Sequence, residues 1–208
     1  MIKPNKLVFI FLINCIFLLK INILWASPAD ELSILLNKNN GFSGQFSQLV
    51  YDNKSQLIDE ASGDVVFKKP HFFKWIYQVP HQNQIIGDGE TVYIYDPDLS
   101  QVIMSRFSQS KSNNPANIFF LNNLEESFKV TKILIDDEVW YSCESKSKDI
   151  DYQSIEISFN KDKIKGMKVI DGLQNKIIIN FVNISYSTDI DEASFLFNVP
   201  DNVEVIKN

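Results

Sequence analysis

The sequence predicts a mainly β protein of the α+β kind: one curled antiparallel sheet of about eleven strands, interrupted by short helices, in a single domain. Three observations carry this. Short runs with period-two alternation fill the chain from Phe42 onward, turn dipeptides such as Asp88-Gly89 and Asp171-Gly172 separate them, and no run alternates with a long helical one. The 208 residues are 45% hydrophobic and 12% aromatic, a globular composition. Sixteen Phe is the unusual figure. So many rings suit either an ordinary aromatic core or the wall of an apolar cavity, and composition alone does not separate the two.

Residues 1–26 read as an export signal, which leaves 27–208 as the folded domain. Lys3 and Lys6 supply a positive start, positions 7–19 an apolar run broken by Asn14, and Leu24-Trp25-Ala26 a candidate cleavage site. Lys20 leaves the run shorter than the roughly 20 residues a membrane helix needs. Cys15 follows Ile13-Asn14 and lacks the small residues that precede the cysteine of a lipid-attachment signal. Removing this segment, with its three Lys and no acidic residue, takes the formal net charge from −6 to −9. So acidic a chain is not expected to follow nucleic acid or anionic bilayers electrostatically. A membrane-derived ligand would then be held by apolar burial. Cys143 is left as the single thiol, which excludes an internal disulfide, and its strand-like setting reads as that of a small buried hydrophobe.

The first element after the signal is a short helix. Ser27, Pro28 and Asp30 form a capping-box start, and Leu32, Leu35 and Leu36 fall on one face. Asn39-Asn40-Gly41 is expected to stop it. Strands follow at 45–51, 61–69, 71–79, 84–86, 91–95 and 101–107. In the third of these Phe73, Trp75 and Tyr77 share one face, and Phe72, Lys74 and Ile76 the other. The stretch 108–123 breaks the rhythm. Its first half is a polar loop, and Asn114-Pro115 then opens a two-turn helix through Leu121 that contains Ile118-Phe119-Phe120-Leu121. A helix so short needs apolar support from elsewhere and is free to let go. Strands resume at 128–135, 138–145, 152–159, 163–170 and 176–187, then a helical turn within 189–194 and a last strand at 195–197.

Catalytic and metal-binding patterns are sparse. The two His, His71 and His81, lie near proline turns, and no His/Cys cluster has ligand spacing, so neither a metal nor a cofactor is expected. Asp96/Asp98 and Asp136/Asp137 sit in turns, where solvated carboxylates are the rule. The residues therefore point away from an enzyme. What stands out is large apolar side chains on both faces of one strand, as at Phe72/Phe73 and Tyr93/Ile94. Both faces then need a cover, supplied by helices over an ordinary core or over a cavity.

Several segments together resemble the LolA family of outer-membrane lipoprotein carriers. Phe42-Ser43-Gly44-Gln45-Phe46-Ser47-Gln48 is similar to the family's opening F-x-A-x-F-x-Q. The stretch from Gly63 through Lys68-Lys69-Pro70 to Phe73-Lys74-Trp75 resembles its G-x-h-x-h-K-R-P-x-x-F-x-W, and Asp88-Gly89 through Tyr95-Asp96-Pro97 to Gln101-Val102 its DG…YDP…QV block. Asn114-Pro115 stands where the family commonly has Thr-Pro, and Phe195, Phe197 and Pro200 match its tail. The order and spacing of these blocks cover the chain beyond the signal.

The resemblance implies an unclosed β-barrel with a helical lid over an apolar cavity. It implies a monomeric periplasmic chaperone that receives acylated lipoproteins from the inner-membrane LolCDE transporter and delivers them to the outer-membrane receptor LolB. It points to Leu36, Phe73, Trp75 and Phe119 as cavity or lid residues; Phe46, Tyr77 and Ile118 join them from the strand faces and the lid helix. At Lys69 the family pattern has Arg, thought to tie barrel to lid. Lys keeps the charge but loses the planar fork, so a Lys69 latch is expected to hold less tightly. Two other readings share the fold: a membrane-anchored lipoprotein acceptor and a periplasmic lipid sensor.

Overall fold

The computed structural model describes residues 26–107, 115–121, 123–136, 138–147, 151–187 and 189–207. Most of the expected export signal, the polar loop at 108–114 with the expected cap Asn114, and Asn122 lie outside the described residues. Helix α1 (Pro28–Asn37) begins as its sequence dictates: Asp30 N donates to Ser27 Oγ at 3.1 Å and Ser27 N to an Asp30 carboxylate oxygen at 3.2 Å. Its end differs from expectation. The last turn closes at Lys38 in ordinary right-handed geometry, and Gly41 already belongs to the first strand. Glycine is needed there for close approach, because a Cβ would lie 2.4 Å from the Phe67 carbonyl oxygen.

Two meanders make one sheet. The first runs β1 (Gly41–Tyr51), β2 (Leu57–Lys68), β3 (Phe72–Val79), β4 (Gln84–Asp88), β5 (Thr91–Asp96) and β6 (Gln101–Arg106). The second runs β7 (Phe128–Ile135), β8 (Glu138–Ser145), β9 (Tyr152–Asn160), β10 (Lys163–Asp171) and β11 (Lys176–Tyr186). Pairing of β11 with β1 joins them, and β7 is left at one edge of an unclosed, twelve-stranded sheet. The turn between β4 and β5 is built as the sequence predicts, with Gly89 at φ +103°.

The chain end corrects the expected last strand. Residues 195–197 are not a strand: Glu192–Phe195 is a single 3₁₀ turn, and the twelfth strand is β12 (Glu204–Lys207), at the sheet's other edge. It runs parallel to β6, so the sheet is antiparallel except for this pair. Phe195 and Phe197 instead cover the outer face. Phe195 is fully buried 5.6 Å from Phe72, and Phe197 lies 5.2 and 5.5 Å from Tyr93 and Tyr95. The tail thus covers the large side chains on that second face.

The connection from β6 to β7 has to pass from one side of the open sheet to the other. It does so through a 3₁₀ segment (Pro115–Phe120) and a single turn of helix, α2 (Leu124–Ser127), capped by Asn123. Tight 3₁₀ winding replaces the expected α-helical turns, as is usual for so short a piece.

Candidate functional site

The inner face of the sheet is a continuous aromatic surface because each strand contributes every second residue to it. Register places Phe42 opposite Phe67, Phe67 opposite Phe73, Val65 opposite Trp75, and Phe46 opposite Phe181. The rings meet at contact distance: Phe42 to Phe67 at 4.9 Å, Phe46 to Trp75 at 4.8 Å and Phe46 to Tyr77 at 5.2 Å. Such pairs contribute roughly 0.5–1.5 kcal/mol each beyond the area they bury. Among the described residues only Asn117 and Ser158 are buried polar side chains, and no charged one is buried.

The 115–120 segment is a plug rather than a loose cover. Ile118 and Phe119 are 0% and 5% exposed. Phe119 sits 4.8 Å from Phe67 and 5.7 Å from Phe42, and Phe120 lies 5.8–5.9 Å from Phe67, Phe73 and Phe107. Helix α1 then lies over the plug, with Leu32 fully buried. Between α1 and Phe119 remains a void of about 30 Å³, bordered by Leu35, Leu36, Phe42 and Ile164. That is about one water's share of liquid volume. At this place the described side chains pack closely around the plug.

All seven residues expected to line the cavity are gathered in this cluster. Phe46, Phe73, Trp75, Ile118 and Phe119 are buried, and Leu36 and Tyr77 pack half-buried against them. Phe42, Phe67, Phe120 and Phe181 belong equally and were not singled out. Strand parity was the available signal for two of them: Phe42 shares parity with Phe46, and Phe67 with Val65.

Lys69 is found on the other cover. Its Nζ donates to Oδ1 of Asn37, the last residue of α1, and its backbone N–H donates to the Asn40 carbonyl at 2.8 Å. Burial pushes its ammonium below the usual lysine range. The partner is thus a side-chain amide of the first helix, where carbonyls of the 115–121 lid were the expected target.

Further polar contacts hold α1 along the rim. Ser27 Oγ donates to Glu125 at 2.9 Å, Glu31 accepts from Lys132 at 2.5 Å and from Tyr141 at 3.1 Å, and Lys38 pairs with Asp162. The Lys132 hydrogen bond holds the Glu31 carboxyl below the usual range, against the opposing effect of burial. Burial, with Glu31 adding to it, pushes the Tyr141 phenol up to about 12. Contacts as exposed as these are individually worth about 0–1 kcal/mol. The cover is therefore fastened by weak surface contacts over an apolar seat.

Open space lies at the opposite end of the inner face. A pocket of about 310 Å³ is lined by Gln48, Ala61, Tyr77, Val79, Asn83, Ile85 and Ile94, among others. A second, of about 610 Å³, lies beside Pro115, Tyr152, Val169 and Ile177. Ligand pockets commonly span about 300–1,000 Å³. Cys143 is fully buried and burial pushes its thiol up to about 12, the state of an inert core residue.

Relatives place this architecture. The chain is 30% identical over 184 residues to the outer-membrane lipoprotein carrier protein of Pseudomonas paraeruginosa, covering 88% of each. It is 32% identical over 212 residues to the protein of that description from Neisseria gonorrhoeae, covering 100% of both. An uncharacterized conserved protein from Thermus thermophilus shares the fold, with a TM-score of 0.57 at 11% identity, over 88% of this chain and 100% of that one. The family model described as outer membrane lipoprotein carrier protein LolA matches residues 37–198, most of the sequence, and the chain belongs to the LolA family.

Proposed function

We propose that this protein is a soluble periplasmic chaperone that takes the acyl chains of lipoproteins into its aromatic interior and carries them to the outer membrane. The observation that supports this best is an interior that is aromatic and uncharged among the described residues, and whose two covers differ. The plug supplies apolar side chains that an acyl chain can replace, and α1 is fastened by weak surface contacts that exchange readily. Each buried methylene is worth about 0.8 kcal/mol, so acyl chains displacing Phe119 and Phe120 are held without any charged contact. The reading is of a carrier that needs no cofactor.

On this reading residues 1–26 direct export and are removed, and 27–208 form the carrier. LolCDE is its donor and LolB its acceptor, as we infer from the family resemblance. The lipid-facing residues are Leu36, Phe46, Phe73, Trp75, Tyr77, Ile118 and Phe119, and Lys69 is the latch on the cover. Native mass spectrometry of the protein isolated from periplasm tests the reading. Mass additions that correspond to acylated protein or peptide are expected; a bare polypeptide under conditions that preserve hydrophobic complexes would overturn it.

A further inference from the structure

Two polar atoms beside the aromatic interior have no hydrogen-bond partner although they are buried: Trp75 Nε1, a donor, and Asn83 Oδ1, an acceptor. Leaving such atoms unpaired costs free energy, and a ligand or an ordered water that completes the bond offsets that cost. Trp75 is 5% exposed, deep in the ring cluster, so solvent does not reach its N–H.

The two atoms flank one place. Asn83 lines the 310 Å³ pocket at the open end of the inner face. Trp75 stands beside it twice over: its strand neighbour on that face, Tyr77, and its cross-strand partner, Ile85, are both pocket residues. Burial pushes the Tyr77 phenol up to about 12, and the nearby indole N–H opposes this slightly from beyond ordinary hydrogen-bond distance. Tyr77 Oη in turn reaches Gln48 Oε1 at a long 3.3 Å. The pocket thus has apolar walls of Ala61, Val79, Ile85 and Ile94 and a polar floor with spare hydrogen-bonding capacity.

We infer that this pocket is a subsite for the carbonyl linkage of an acyl chain, an ester or an amide, with Trp75 Nε1 donating to the carbonyl oxygen while the hydrocarbon runs into the aromatic interior. An apolar wall alone cannot tell an ester from an ether of equal length. An unpaired donor at the boundary between pocket and rings can, because the ether lacks the strong carbonyl acceptor. Asn83 Oδ1 adds a partner for the N–H of an amide linkage, which distinguishes the two sources. The inference rests on the acyl-carrier reading and adds the recognition of the linkage to it.

The test uses the full mature chain and three probes with a sixteen-carbon chain: 1-palmitoylglycerol, its 1-hexadecyl ether, and N-palmitoylglycinamide, each titrated below its aggregation threshold. Wild type is expected to bind the ester on the order of tenfold more tightly than the ether. Trp75→Phe is expected to erase that ratio by weakening the ester far more than the ether, so the ratio and not the absolute affinity is the readout. Asn83→Leu is expected to weaken the amide probe selectively. Equal affinity of wild type for ester and ether overturns the inference and leaves the carrier reading standing, and so does an ester preference that survives in Trp75→Phe. Failure of wild type to bind any of the three probes overturns both. If Trp75→Phe does not fold, equal affinity of wild type for ester and ether still overturns the inference, and Asn83→Leu still tests the amide arm.

Discussion

Lys69 Nζ donates to Oδ1 of Asn37, so the turn between β2 and β3 is tied to the C-terminal end of the helix that covers the barrel. The two residues are 32 positions apart, and one polar contact couples the wall to the cover. Lys69→Leu removes it. Because the pair sits near the surface, global stability is expected to fall by less than about 1 kcal/mol. Amide hydrogen exchange within 28–38 is expected to speed up several-fold, with the β1–β2 amides unchanged. Uniform acceleration across the sheet would show that Lys69 supports the fold at large.

Lys69→Arg tests the same contact from the other side. A planar guanidinium offers more donors in a fixed fork. Exchange within 28–38 is expected to slow, and release of a loaded client to a receptor to slow with it. Arg and Lys variants that exchange and release alike would remove the latch from the account.

Phe119 fills space that, on the proposed carrier reading, an acyl chain enters. Phe119→Ala is expected to cost about 3–5 kcal/mol in the empty protein, as for other buried Phe truncations. Acyl ligand is then expected to raise the melting temperature of the variant more than that of wild type, because it fills the cavity that the missing ring leaves. Equal ligand-induced shifts, measured by scanning calorimetry, would place Phe119 outside the ligand's path.

Glu31 gives the cover an acid dependence. Its folded pKa is held below the ordinary 4.5, so the stability it contributes is fully present above that value and is lost as pH falls through the folded pKa. Exchange protection of α1 is expected to drop in this acid window. Glu31→Gln is expected to flatten that part of the profile, even though other carboxylates titrate nearby.

Much of this was legible in the sequence, for physical reasons that differ by element. The two faces of β3 follow from strand parity alone, and Phe73, Trp75 and Tyr77 do face inward. The capping box of α1 is a local contact within four residues, and it formed as read. The last strand was misplaced because Phe195 and Phe197 have strand-like character but find their burial on the outer face, against rings more than 90 residues earlier in the chain. The true edge strand β12 is four residues long and lies in the exposed range at every position, so it carries no alternation to read. The single turn α2 is too short to leave a periodic signal. Lys69's partner was out of reach for the same reason as the plug's depth: both depend on which distant segments meet.

Cys143 offers a probe of the closed state. Its thiol is buried and pushed up to about 12, so alkylation of the native protein at mildly alkaline pH is expected to run at least about 100-fold slower than in denaturant. Comparable rates would show that the interior opens freely without ligand.

The central claim is that ligand enters by displacing the 115–120 plug, beside which a void of about 30 Å³ lies beneath α1. Amide hydrogen exchange of the mature protein, with and without a palmitoylated lipopeptide at saturating concentration, tests it most directly. The account predicts that amides within 116–121 lose protection on binding while those of β1, β2, β3 and β11 keep theirs. Binding with protection of 116–121 unchanged or increased would contradict it, because the ligand would then sit elsewhere with the plug still seated.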